Sequence, residues 1–185
     1  MYNKKMLTNF YEDLSSSEIK RINKKTVLIF PFSSIEQHGS HLPINTDKKI
    51  LEGILNKFNS KFASKKYLIM PQIYIGSASE HKSYDGTLSL NSVDFIQYSI
   101  KIIEQVCKKE FKNILLLNSH GGQISHLDII GKELKAKYNI TIVKGTYFLF
   151  DDFKGIISRK EKEYGYHGGE FETSLMLYMY PELVK

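Results

Sequence analysis

Tryptophan is absent from this 185-residue sequence, and there is a single cysteine, Cys107. One thiol excludes an intramolecular disulfide and any cysteine-based zinc site. Prolines number only four, and no Pro/Gly-rich stretch, repeat or low-complexity tract marks a boundary. The sequence therefore reads as one domain over residues 1–185, long enough to bury a core without staples. Long apolar runs are missing too; the longest cover about seven residues, against the ~20 that span a bilayer. The opening MYNKKMLTNFYEDLSSSE lacks the apolar segment of a secretory signal. The expectation is a protein with no membrane partner, working in the reducing cytoplasm. Lys plus Arg number 26 and Asp plus Glu 20, a net +6 with histidine neutral. The basic residues are scattered as pairs such as Lys24-Lys25 and Lys108-Lys109. No long basic run forms, so no nucleic-acid partner is expected.

What is present is an alternation of apolar runs and helical periods. Residues 26–32, 67–75, 113–117 and 140–143 onward are continuously apolar, the pattern of strands covered on both faces. Between them, 47–62, 91–111, 123–138 and 170–180 carry apolar residues at helical spacing, with Asp47 and Asn91 as N-caps. This predicts an α/β fold: three α/β/α layers around a largely parallel sheet. Sites in such folds lie beyond the carboxyl ends of the strands.

Three clusters of chemically capable residues sit there. After the first strand come Glu36, His38, His41 and Asp47 in a loop containing Gly39 and Pro43. Carboxylates with imidazoles suit Zn²⁺, Mn²⁺ or Fe²⁺, although a surface loop with a capping Asp has the same composition. After the third strand, Ser119-His120-Gly121-Gly122 joins strand to helix. The glycines allow close backbone approach, but an ordinary helix-entry turn is built the same way. Third, His167-Gly168-Gly169-Glu170-Phe171-Glu172 opens a helix, where acidic residues also serve as dipole partners. Together the clusters offer Glu36, His38, Asp47, His120 and Glu170, enough N/O ligands for two metals sharing one carboxylate. Such pairs hydrolyse amides.

The segments P-x-x-S-x-E-Q-H-G-x-H-L-P-x-x-T-D (from Pro31), N-x-H-G-G (from Asn118) and H-G-G-E-x-E-T-S (from His167) resemble the creatininase (creatinine amidohydrolase) family. So does Gly76-Ser77-Ala78-Ser79-Glu80-His81 with Gly86-Thr87-Leu88-Ser89-Leu90. The resemblance runs from about Val27 to Val184. It implies Glu36, His38, Asp47 and His120 as metal ligands, with Asp47 bridging. Creatinine hydrolases place a further Glu two residues after the second-cluster His; here that position is Gly122. Glu170 is then expected as the last ligand, with Glu172 a supporting group or cap. His167 matches a proton shuttle to the leaving nitrogen, and Glu170 shares the catalytic centre. Ser79, His81, Ser119 and Gly121 are expected to hold a small-molecule substrate.

The resemblance thus implies a hydrolase of a non-peptide C–N bond, a cyclic amide or formamide, acting through a metal-bound hydroxide. Two divalent ions (Zn, Mn or Fe) per chain and a homo-oligomer are implied with it. Gly122 and the lack of tryptophan argue against creatinine itself. The sequence ends just after the third motif, where relatives continue, so a compact or shortened member is expected. A peptidase trimming a small precursor peptide and a non-catalytic metabolite-binding member are the alternatives.

Overall fold

The computed structural model describes residues 8–64, 66–165 and 167–185. Its helices are α1 (Ser16–Lys20), α2 (Thr46–Phe62), α3 (Ser92–Cys107), α4 (Ile124–Lys137), α5 (Arg159–Tyr164) and α6 (Glu170–Met179). Its strands are β1 (Val27–Phe32), β2 (Tyr67–Ile69), β3 (Asn113–Asn118) and β4 (Thr141–Thr146). They form one sheet in the order β2-β1-β3-β4, every pair parallel. Continuous apolar strands are what a parallel sheet covered on both faces requires. Leu28, Phe30 and Phe32 of β1 pack on one face with Phe95 and Ile103 of α3 and Leu127, Ile130 and Leu134 of α4. Ile29 faces the other way, toward Leu51 and Leu55 of α2. Outside α2 lies α6, whose Met176 joins Ile50, Leu42 and Tyr147 in a further apolar cluster.

The expected layers and strand direction are therefore those observed. One strand differs: β2 ends at Ile69, well short of residue 75. Pro71 follows, and proline cannot donate to a ladder. The early end also accommodates Pro31 inside the central strand. The odd-numbered groups of β1 face β2, as the Met70 N–H donated to Ile29 O shows. The donor that Pro31 lacks thus falls where β2 has already stopped. Two short helices, α1 and α5, have no counterpart in the sequence pattern.

Helix starts receive their own chemistry. Asn91 caps α3 by accepting the Asp94 N–H. Gly169, which precedes α6, has no side chain with which to cap it. Instead buried Glu161, reaching over from α5, accepts the Phe171 N–H at 3.1 Å. Cys107 is buried, and burial pushes its thiol up to about 11.

Candidate functional site

The segments that leave β1 and β3, the Ser79–His81 turn and the start of α6 meet at the carboxyl ends of the strands. A cavity of about 340 Å³ opens there, lined among others by Glu36, Asp47, Glu80, His81, His120 and His167. Glu36, His38 and Asp47 are each no more than 1% exposed. Buried ions of one sign are costly unless partnered, so the grouping needs a physical reason.

Asp47 is held from two sides. Ser34 Oγ donates to its Oδ2 at 2.6 Å, and Ser119 Oγ donates to its main-chain oxygen at 3.0 Å. Its Oδ1 lies 3.5 Å from His38 Nε2, and its Oδ2 lies 3.3 Å from His120 Nδ1. One carboxylate therefore faces two imidazoles through different oxygens. Each imidazole is oriented by its other nitrogen. His38 Nδ1 lies 3.1 Å from Glu36 O, and His120 Nε2 lies 3.1 Å from Ser77 O. With protons on those nitrogens, the lone pairs of His38 Nε2 and His120 Nδ1 point into the carboxylates. Metal-binding histidines are arranged this way.

Among the described residues, three sets of atoms lie close enough to hold an ion: Glu36 with Asp47 and His120, His38 with His167 and Glu172, and Glu36 with His81 and His167. Both carboxylate oxygens of Glu36 and Nε2 of His38 are buried without a hydrogen-bond partner among the described residues. His120 Nδ1 approaches Glu36 Oε1 to 3.0 Å without forming a hydrogen bond of good geometry. Unsatisfied buried acceptors converging on one volume fit divalent cations, and the N/O donors suit Zn²⁺, Mn²⁺ or Fe²⁺.

The local electrostatics divide the histidines. Burial alone would lower His38, but the carboxylates of Asp47 and Glu172 beside its Nε2 outweigh it and lift its pKa to about 10. Burial opposes His120 in the same way, and Asp47, Glu36 and Glu80 raise it well above the ordinary value. Asp47 is lowered correspondingly: the neighbouring imidazoles of His120 and His38 overcome its burial. His81 and His167 move the other way, both lowered chiefly by burial. Burial raises Glu172, and hydrogen bonding to His120 holds Glu80 down at about 2.

The expected site residues are not all brought together. Glu170 is exposed at the first position of α6, and the structure does not bring it to the cluster. Glu172, two positions later, is buried, and its Oε2 lies 3.7 Å from His38 Nε2. Helical geometry turns side chains two apart to nearly opposite sides, so only one of the two can face inward. The Gly168 N–H donates to Glu172 Oε2 at 2.6 Å and fixes the carboxylate. Gly168 itself has φ +63°, and a Cβ there would meet His38 O at 3.2 Å. The spacing of Glu172 four residues before buried Met176 is the signal that distinguishes it from Glu170.

Ser79 is exposed and does not line the cavity. Ser119 does, but its hydroxyl is committed to main-chain oxygens of Asp47 and Phe32. It holds the start of α2 in place and is not free for substrate. Gly121 and His81 line the cavity as expected. His41 lies outside the cavity and joins Thr173 of α6 at 2.9 Å, tying the first loop to the helix that carries Glu172.

Two further residues matter. The Gly39 N–H donates to Gln37 Oε1, which leaves the Gln37 amide nitrogen to meet His81 Nδ1 at 3.2 Å and His167 Nε2 at 3.0 Å. His167 Nε2 also lies 2.7 Å from Gln37 O, and its Nδ1 lies 3.5 Å from Glu36 Oε1. The rings of His81 and His167 stack with centroids 4.1 Å apart. Gln37 stands between the two outer histidines, and only the fold reveals that. Asn118 fixes the His120 turn by donating to His120 O at 2.7 Å and accepting its N–H at 3.1 Å.

Comparison with known proteins identifies the family and the fold. The creatininase profile, described as creatinine amidohydrolase, matches residues 12–185. The chain is 28% identical over 175 residues to the creatinine amidohydrolase of Pseudomonas putida, covering 85% of this chain and 66% of that protein. It is 24% identical over 179 residues to the mycofactocin precursor peptide peptidase of Mycolicibacterium smegmatis, covering 94% of this chain and 66% of that protein. The chain thus spans just under two thirds of the length of each of these relatives. Among solved structures, a point mutant of creatininase superposes with a TM-score of 0.81 at 25% identity, covering 96% of this chain and 75% of that one. A manganese form of creatininase and a Zn–Zn form of a creatininase mutant each match at TM-score 0.76 and 24% identity, over 97% of this chain. They cover 76% and 75% of those chains, respectively, and at that identity the likeness is one of fold.

Proposed function

Because this chain belongs to the creatininase (creatinine amidohydrolase) family, we propose that it is a metal-dependent amidohydrolase of a small non-peptide substrate, a cyclic amide or formamide. The observation that carries this reading is the buried cluster of Glu36, His38, Asp47, His120 and Glu172, in which both Glu36 carboxylate oxygens and His38 Nε2 have no hydrogen-bond partner among the described residues. Glu36, Asp47 and His120 would hold one divalent ion. His38 and Glu172 would hold a second, with Asp47 between the two. When bound, such ions polarise a carbonyl and make water acidic enough to react near neutrality.

The remaining steps belong to the chain's own side chains. The cavity admits a small substrate beside Gly121, His81 and His167. His167 is the proton carrier: its lowered pKa leaves it neutral at pH 7, ready to take a proton at Nδ1, the nitrogen that faces Glu36. It then returns the proton to the leaving nitrogen as the C–N bond breaks and the carbonyl carbon keeps the oxygen of water. Gln37 and the His81 ring hold the His167 ring in place.

A second reading, a peptidase trimming a short precursor peptide, is favoured by the four mycofactocin precursor peptide peptidases among the relatives. A homo-oligomer belongs to the same proposal. Val143 on edge strand β4, with Leu149 and Phe150 beyond it, stays exposed and is available to a second copy.

The test is metal content by inductively coupled plasma mass spectrometry on untagged protein, followed by an amide and formamide screen in the metal found. One to two ions per chain, lost in Glu36→Ala together with hydrolysis, is the expected result. Protein that neither carries nor takes up zinc, manganese or iron would overturn the reading. Cleavage confined to peptides would select the peptidase.

A further inference from the structure

The cavity is lined by four carboxylates, Glu36, Asp47, Glu80 and Glu172. Three of them belong to the atom groups that can hold an ion; among the described residues, Glu80 belongs to none. It stands on the opposite edge of His120, with Oε1 3.4 Å from Nε2, a nitrogen already 3.1 Å from Ser77 O. Its side chain is 44% exposed, in sharp contrast to the 1% of Glu36. Among the described residues no lysine or arginine lines the cavity, and the imidazole of His120 is the ion-pair partner of Glu80 there.

The chain also leaves room for this group. A Cβ at position 122 would lie 1.8 Å from Glu80 Oε1 and 2.7 Å from His120 Nε2. A side chain there would have to displace the Glu80 carboxylate, which at present fills that space. The cavity mouth is then bare backbone at Gly121–Gly122, with the Phe148 ring 3.9 Å from where a Gly121 Cβ would be. A half-exposed carboxylate beside an aromatic ring and uncovered backbone suits a flat group that carries N–H donors.

We propose that Glu80 is the specificity-determining residue of this pocket, selecting substrates that bear a cationic or N–H-rich nitrogen group and rejecting those that bear an anion there. This rests on the amidohydrolase reading for the identity of the pocket, but not for its test.

Benzamidine is the probe: an amidinium on a flat ring, titrated calorimetrically into the protein as purified and after metal loading, with metal content measured in parallel. Wild type should bind it, and Glu80→Gln should weaken binding roughly tenfold or more without changing metal content. Glu80→Asp, which keeps the charge on a shorter arm, should retain most of the binding, and Glu170→Gln all of it. The proposal is overturned if wild type does not bind benzamidine or Glu80→Gln binds it equally well. It is also overturned if Glu80→Gln loses its metal, because Glu80 would then act only as a support for His120. A wild type without metal that still shows Glu80-dependent binding would sink the hydrolase reading and leave the recognition role standing.

Discussion

The inner histidines of the cavity, His38 and His120, and the outer pair, His81 and His167, share a side chain and little else. The inner rings are almost fully buried, face Asp47 through one nitrogen, and are anchored on a main-chain oxygen through the other. Their carboxylate neighbours lift both well above the usual histidine range. The outer rings stack on one another, meet the Gln37 side chain, and are lowered by partial burial. The first environment favours a positive charge held permanently. The second favours a neutral ring at pH 7. The difference lies in which carboxylates are near, and under the proposed function it would make the inner half the ion-holding one and the outer half the proton-handling one.

The sharpest way to break this division is to remove an inner ring. His120→Ala should lower metal affinity roughly 100-fold or more, since even supporting groups of metal ligands are worth 10–100-fold. Equilibrium dialysis against zinc or manganese reads this directly, and undiminished affinity would erase the inner half. The same substitution in the outer half should behave differently. His167→Ala should keep its metal and lose roughly 10²–10⁴-fold in turnover, the usual worth of a general acid–base. Parallel loss of metal would make His167 a ligand and dissolve the distinction.

A pH titration sharpens it further. In metal-free protein the folded-state pKa of His38 is about 10, above its ordinary 6.5. The stabilisation this represents is complete below 6.5 and disappears as pH rises through about 10. Chelated protein should therefore lose thermal stability across that window. Metal-loaded protein should not, because the ion replaces the protons and releases them on binding. Calorimetry in buffers of different ionisation enthalpy should register that release; no release would mean the inner rings are neutral before metal arrives. The smallest effect concerns α6. Glu172→Gln should reduce metal stoichiometry, whereas Glu170→Gln should shift stability by no more than about 0.5 kcal/mol, as at other exposed sites. Equal effects would remove the distinction between the two carboxylates.

How much of this was legible beforehand varies with the range of the interaction involved. Glu36, His38, Asp47 and His120 could be located because each lies within a few residues of a strand end, and parallel α/β sheets put strand ends together. The structure puts Glu172, not the expected Glu170, beside His38, and the difference is a local detail, the rotation of one helix about its axis. Spacing to Met176 records that rotation, but only once Met176 is known to be buried. Glu80 and Gly122 lie far apart in sequence, and no local pattern indicates that one occupies the other's space. Nor does it show that the Ser119 hydroxyl turns to Asp47 O and away from substrate.

The sequence by itself determined the layers, the parallel sheet and the end of it where chemistry gathers, because periodicity and strand-end position are properties of neighbouring residues. Only the tertiary structure decided which carboxylates face inward, which main-chain oxygen each inner histidine meets, and that the Glu80 carboxylate lies against position 122. Those depend on distances of three to four ångströms between segments remote along the chain, where packing alone sets the geometry.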